Sequence, residues 1–216
     1  MPAVTDDEVL AGLLRRVRGG PARLGPAAVG TDGADGAGGG CRLVVVDGPA
    51  GSGKTTLAAR LGGALPAPVV HMDDLYAGWS GMAEGVDRLE QQVLAPLAAG
   101  RAGRYQRYDW AAGRYAEWHD VPRTPYLVVE GCGSGARRFA PLTTLLVWVE
   151  ADDALRLRRG LERDGAAARE HWLAWMAAER DLYDAEGTAR RADVRLDGLG
   201  RVVGPPAALE PPGSVA

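Results

Sequence analysis

The chain has 216 residues and a single lysine, Lys54, although Lys and Arg together number 25. Arginine fills every other basic position. A lone ammonium in such a chain marks a task suited to a compact point charge rather than a planar fork. With no second lysine, the guanine-reading Asn-Lys-x-Asp element of the usual GTPases is excluded. Cysteine is almost as scarce. Cys41 and Cys132 are too few for a disulfide framework or a zinc site, so a reducing cytoplasm is the expected home. No apolar run approaches the roughly 20 residues that a membrane-spanning helix needs. The net charge of −3 offers nucleic acid no global basic field. The N-terminal stretch Met-Pro-Ala-Val-Thr-Asp-Asp-Glu is acidic and lacks an apolar core, so no secretory signal is expected.

What is present is organised around Lys54. The apolar, β-branched run Leu43–Val46 reads as a buried strand. It leads into Gly48-Pro-Ala50-Gly51-Ser52-Gly53-Lys54-Thr55, followed by the helix-competent Thr56–Leu61. This is the phosphate-binding pattern G-x-x-x-x-G-K-[ST] in its proper strand–helix context. The glycines let backbone N–H groups surround phosphate oxygens, and the following helix turns its positive end to the anion. Lys54 is then a charge for the β- and γ-phosphates, and Thr55 a hydroxyl ligand for Mg²⁺. The segment Gly48, Ala50–Thr56 is the expected ATP site.

The order of segments gives the fold. Thr5-Asp6-Asp7-Glu8 is a capping-box pattern, followed by an amphipathic stripe of Val9, Leu10, Leu13, Leu14 and Val17. Residues 19–40 hold nine glycines and read as a flexible linker. Short apolar strands are expected at 43–46, 68–72, 126–130, 145–149 and 193–197, separated by helices. That alternation predicts an α/β fold with a five-stranded parallel sheet of the P-loop NTPase type and a helical lid. The expected organisation is a helix over 1–18, a linker over 19–40, the P-loop kinase domain over 41–203 and a disordered Pro-rich tail over 204–216. The helix at 84–95 should break or kink at Pro96. Residues 100–125, rich in Arg, Tyr and Trp, read as an excursion over a site.

In a parallel sheet, ligands sit beyond the carboxyl ends of the strands. Asp73 and Asp74 follow the second strand and could activate an acceptor hydroxyl or hold Mg²⁺; Glu130 ends the third and could also hold the metal. Arg156, Arg159 and Arg163 share one face of a helix expected over 153–163, with Ala154, Leu157 and Leu161 on its packing side. They read as a lid reaching the transferring phosphoryl group. Tyr108, Trp110 and Arg114 belong to a basic–aromatic stretch that reads as a small-molecule pocket in preference to a single-stranded nucleic-acid surface. Trp172 and Trp175 read as core.

These pieces resemble the uridine kinase group of P-loop nucleoside and nucleotide kinases over about residues 42–198. Asp73-Asp74-Leu75-Tyr76 looks like that family's Asp-Ser-Phe-Tyr element, Tyr108-Asp109-Trp110 like its Tyr-Asp-Phe element, and Val128-Val129-Glu130-Gly131 like its strand-end Glu-Gly. The segment with Arg159, Arg163 and Asp164, then Ala192-Asp193-Val194, is similar to its lid and last strand. The resemblance implies transfer of the γ-phosphoryl of MgATP to a hydroxyl, with Asp73 as base, Lys54, Arg159 and Arg163 stabilising the transfer, and Asp74, Tyr76, Tyr108, Asp109 and Arg114 on the acceptor. Thr55, Asp73 and Glu130 are the implied Mg²⁺ residues. Two positions depart from the pattern: Asp74 stands where Ser is usual, and Gly113 where the family places a pyrimidine-reading His. The expected partner is a small-molecule acceptor such as a nucleoside, or a nucleoside monophosphate or other metabolite, with neither nucleic acid nor membrane. A rival reading is an ATPase or switch that acts on a protein partner and uses the first helix as its coupling element.

Overall fold

The computed structural model describes residues 6–26 and 39–203. Five parallel strands form the central sheet: β1 (Arg42–Asp47), β2 (Val69–His71), β5 (Tyr126–Glu130), β6 (Thr143–Glu150) and β7 (Val194–Asp197), in the order β2-β5-β1-β6-β7. Between β2 and β5 the chain forms a separate antiparallel hairpin, β3 (Gly103–Asp109) with β4 (Arg114–Val121). The central strand β1, Arg-Leu-Val-Val-Val-Asp, is buried from Leu43 to Asp47. A near-continuous apolar run is what a strand covered on both faces requires.

Helices cover both faces. On one lie α1 (Asp6–Gly19) and α2 (Lys54–Ala64), against Val44, Val46, Leu145 and Val147. On the other lie α3 (Met82–Arg88), α4 (Ala95–Ala98), α6 (Arg169–Glu186) and the hairpin, against Leu43, Val45, Leu127 and Val129. Alternate residues of each strand thus serve opposite cores. α5 (Asp153–Asp164) follows β6, and α7 (Thr188–Arg191) leads into β7.

The registers align the chemistry. Val46 of β1 pairs with Glu130 of β5, and His71 of β2 also pairs with Glu130. The ends of β1, β2 and β5 therefore lie side by side, with the residues following each facing one edge.

Three local expectations change. Pro96 does not end its helix. Leu89–Leu94 widens into a π segment in which the Ala95 N–H reaches Glu90 O five residues back, and Pro96, which has no N–H to place, falls in the first turn of α4. The excursion at 100–125 takes the form of an antiparallel hairpin, closed by Gly113 at φ 65° and with a register shift between Gln106 and Tyr108. The buried residues of α5 are Arg156 and Gly160, not a leucine stripe; Leu157 and Leu161 are half-buried and Ala154 exposed. The Gly160 Cα lies so close to Trp172 of α6 that an added Cβ would meet the ring at 2.2 Å.

The first helix is seated in the core: Val9, Leu13 and Val17 are buried in one cluster with β1, β6, β7 and α2. The chain after it is held as well. Arg42 Nε donates to Gly20 O (2.9 Å), Thr144 Oγ1 to Pro21 O (2.9 Å), and Leu24 pairs with Cys41 as an antiparallel bridge. Residues 27–38 of the Gly-rich stretch and the tail 204–216 lie outside the described residues. No helix among the described residues is long and apolar enough to cross a membrane.

Leu13 is fully buried. The substitution Leu13→Ala should therefore lower the unfolding free energy by about 2–5 kcal/mol in urea titration. A loss under about 0.5 kcal/mol, the size typical of surface positions, would show that α1 is only loosely attached.

Candidate active site

The loop from Gly48 to Gly53 runs from the buried end of β1 into α2. Gly48 has φ 143°, and a Cβ there would lie 2.0 Å from Val149 O; Gly51 has φ 78° and abuts Arg156 O. Only glycine fits this turn. The loop is gripped at one residue, Ala50, on both of its flanking peptide groups. Glu179 Oε2 accepts from Ala50 N (2.8 Å), and Arg156 Nη1 donates to Ala50 O (2.9 Å) while also pairing with Glu179 Oε1. Arg156 and Glu179 are both buried. Arg156 is therefore a strut of the loop, not one of a solvent-facing stripe.

A second buried charge fixes the loop's first residue. Asp47 is fully buried. It accepts from Gly48 N (2.6 Å), Gly133 N (3.1 Å), Gly135 N (2.7 Å) and Tyr183 OH (2.8 Å). Burial pushes its pKa up and these donors pull against that. With four donors on two oxygens, the carboxylate is the form the site is built to hold. Asp47 and Glu179 escaped the sequence reading. A strand-end Asp just before the glycine loop was the only signal for the first; the second pairs across 129 residues of chain and left none.

Lys54 opens α2 and is buried. Its Nζ donates to Pro49 O (2.9 Å) and lies 4.0 Å from Cys132 Sγ. Burial works against the ammonium, but the carboxylates of Glu130, Asp47 and Asp73 help outweigh it, and its pKa rises. Burial also pushes the Cys132 thiol up to about 12, so it is not a nucleophile at neutral pH. Thr55 Oγ1 donates to Glu130 Oε1 (3.1 Å), the same oxygen that sits 2.7 Å from His71 Nδ1. That hydrogen bond raises the His71 pKa.

Two cavities meet at this loop. The first, about 560 Å³, runs over the outer side of Gly51–Thr56 to Arg159 and the turn at 197–200. The second, about 570 Å³, is walled by Asp73, Asp74, Tyr108, Trp110 and Glu130 among others. Gly51, Lys54, Thr55, Arg163 and Trp172 belong to both. Asp73 is open on the cavity side while protein crowds its other sides. Burial and the charge of Glu130 raise its pKa, against the pull of Lys54 and Arg163.

The remaining candidates divide. Arg159 lies in the first cavity, donating to Gly51 O (3.0 Å) and Gly198 O (3.4 Å). Arg163 pairs with Asp164 at 2.7 Å. Asp74 and Tyr108 wall the second cavity. Tyr76 does too, but its ring is fully buried and its hydroxyl is spent on Cys132 O (2.6 Å). Asp109 and Arg114 lie outside the cavity lining. Asp109 caps the hairpin turn, accepting from Ala111 N and Ala112 N, which holds its carboxylate below the usual range; Arg114, its partner in register, is exposed. Arg107, two residues before Asp109 on β3, reaches the cavity instead. Trp172 and Trp175 are buried as expected of core residues, yet they also line the second cavity.

This architecture has solved counterparts. The chain is similar to a possible uridine kinase from Bacillus stearothermophilus, with a TM-score of 0.57 and 21% identity over 88% of this chain and 97% of that one. It is similar also to a candidate fructose transport system kinase from Silicibacter sp. TM1040, with a TM-score of 0.55 and 18% identity over 84% of this chain and 95% of that one. The fold is that of the P-loop kinases. At such identities the likeness extends to the fold alone. No protein-family model and no curated protein matches the sequence.

Removing Arg156 leaves Glu179 as an uncompensated buried charge. Arg156→Met should therefore cost about 3–5 kcal/mol of stability, and the double variant Arg156→Met/Glu179→Met should recover most of it. Chemical denaturation of the three proteins reads the coupling; equal losses in single and double variants would mean that the pair does not act as a unit.

Proposed function

We propose that the protein is a small-molecule kinase that transfers the γ-phosphoryl group of ATP to an acceptor hydroxyl. One observation carries this reading: two cavities of similar size meet at Lys54 and Thr55, and Asp73, a carboxylate whose pKa is raised, lines the second and not the first. A nucleotide hydrolase needs room for one ligand and a water; this cleft has room for two ligands.

The residues fit ATP in the first cavity. The glycine turn exposes a concave backbone, and the buried Ser52 Oγ has no hydrogen-bond partner, as a hydroxyl awaiting a phosphate oxygen would be. The donor set near Thr55 is all oxygen, from Thr55, Glu130 and Asp73, which suits Mg²⁺. Among the described residues no cluster of three or more metal-ligating side chains forms a cage, and Mg²⁺ at a nucleotide generally takes one or two protein oxygens. When bound there, the ion would neutralise charge on the β- and γ-phosphates.

Lys54 places a fixed ammonium at the junction, where charge builds on the transferring group. The acceptor oxygen forms its bond to the γ-phosphorus as the bond to the β-phosphate oxygen breaks, and ADP leaves. Asp73 takes the hydroxyl proton. The raised pKa makes it a stronger proton acceptor than an ordinary carboxylate, yet one that stays ionised above that pKa. Asp74 suits this role less, because its Oδ2 already accepts from Tyr105 OH (3.0 Å). Arg163 approaches from the α5 side and senses the Asp73 charge.

Lys54→Ala should lower kcat about 100- to 1000-fold. Asp73→Asn should lower it at least about 100-fold while leaving the affinity for ATP nearly unchanged. Near-native turnover in Asp73→Asn would remove its assignment as base. Because the base works as the anion, kcat/KM should fall as pH drops through the Asp73 pKa. That acid limb should lie above the ordinary aspartate value of about 4 and disappear in Asp73→Asn. A pH–rate profile flat down to pH 4 in the native enzyme would contradict the mechanism.

A further inference from the structure

The second cavity holds chemistry that phosphoryl transfer does not use. Trp79, Trp110, Trp172, Trp175 and Tyr108 all line it. Their rings stand near right angles to one another: Trp79 to Trp110 at 76° and 5.5 Å, Trp79 to Trp175 at 80° and 6.2 Å, Tyr108 to Trp110 at 86° and 5.8 Å. Each of these pairs meets edge to face, and Trp79 also stacks on His171 (10°, 5.5 Å), so the walls offer aromatic surface of the kind that receives an organic cation. The buried Trp175 Nε1 has no hydrogen-bond partner and can donate to a ligand oxygen.

The charges in the cavity point the same way. Both arginines of its lining are already committed, Arg107 to Glu117 (2.5 Å) and Arg163 to Asp164 (2.7 Å). The remaining cation of the lining, Lys54, sits at the junction and is assigned to ATP, so no further cation is left over for a phosphate-bearing acceptor. Among the carboxylates, Glu130 is held by Thr55 and His71, Asp164 by Arg163 and Trp172, and Asp73 serves the transfer. Asp74 is left over. It is half-buried, accepts one hydrogen bond from Tyr105 OH (3.0 Å) and forms no ion pair among the described residues. Its charge is felt nearby: burial first, and Asp74 next, raise the Tyr105 phenol above its ordinary value.

We infer that the acceptor is an alcohol carrying an ammonium group, held by the carboxylate of Asp74 and the faces of Trp79 and Trp110; this rests on the reading of the second cavity as the acceptor site. The cavity of about 570 Å³ leaves room for a polyol body around that group. A neutral flat ring would use the aromatic walls but leave Asp74 unpaired. A phosphorylated acceptor would set its charge against that of Asp74.

Charged and neutral isosteres test this directly. The full-length protein, loaded with Mg²⁺ and a non-hydrolysable ATP analogue, is titrated with choline against 3,3-dimethyl-1-butanol and with glucosamine against glucose, by calorimetry and tryptophan fluorescence. At least one ammonium compound should bind about tenfold or more tightly than its neutral partner. Asp74→Asn should erase that preference and leave the neutral compounds unchanged. Trp110→Leu, at a ring 41% exposed and so safe for folding, should weaken the ammonium compounds selectively. The inference is overturned if neither pair shows the preference, or if glucose 6-phosphate binds more tightly than glucosamine. ATP turnover on the same panel separates the two readings. Transfer mainly to neutral or phosphorylated members overturns the ammonium class and leaves the kinase standing. An ammonium preference in binding without transfer to any member counts against the kinase and not against the ligand chemistry.

Discussion

Ala50 is held through both its backbone N–H and its carbonyl by one buried ion pair, and most of the site depends on that grip. Glu179 takes its N–H and Arg156 takes its carbonyl, while Arg156 and Glu179 bind each other. A loop meant to receive a polyanion cannot satisfy its own donors internally, so it needs support from behind. A buried pair can supply that support without collapsing the turn; such a pair adds little net stability but is expensive to break. The same contact ties the loop to α5 and α6, the two helices that also carry Arg159, Arg163, Trp172 and Trp175. Asp47 does the equivalent at the start of the loop, joining it to the turn after β5 and to Tyr183.

Much of this architecture was legible in the residues. Five short apolar runs interrupted by helices read as a buried parallel sheet, and the glycine–lysine–threonine spacing marked the loop between β1 and α2. Glu130 was legible as well, because a carboxylate ending an apolar strand next to β1 has to fall beside the loop. What escaped were interactions between distant segments. Nothing local distinguishes Arg156 from Arg159 and Arg163 on the same helix face; the difference is Glu179, on the following helix. The hairpin escaped because its strands are polar and arginine-rich, with little apolar alternation to mark them. Asp109 illustrates a general ambiguity: aspartate in a turn caps backbone N–H groups as readily as it meets a ligand, and only the geometry of Ala111 and Ala112 decides. Residues read as core, Trp172 and Trp175, turned out to serve packing and cavity at once.

The two cavities differ in kind. The first is largely loop backbone, glycine and arginine, chemistry that suits phosphates. The second is mainly aromatic and acidic; it shares Lys54 with the first, and the charge left over at Asp74 is negative. That contrast supports an enzyme that brings a polyanion and an alcohol without negative charge to one point, with Lys54 and Thr55 at the boundary. It gives less support to a switch coupled through the first helix, since α1 is buried along Val9, Leu13 and Val17.

The most direct test follows the γ-phosphate itself. The protein is incubated with Mg²⁺ and γ-labelled ATP, with and without a pooled set of small alcohols that includes sugars, nucleosides and amino alcohols, and the products are separated. The account predicts that label appears in an organic phosphate ester only when the pool is present, and that neither Lys54→Ala nor Asp73→Asn forms it at an appreciable rate. Label recovered solely as inorganic phosphate, at a rate indifferent to the pool, would contradict the account and identify a hydrolase.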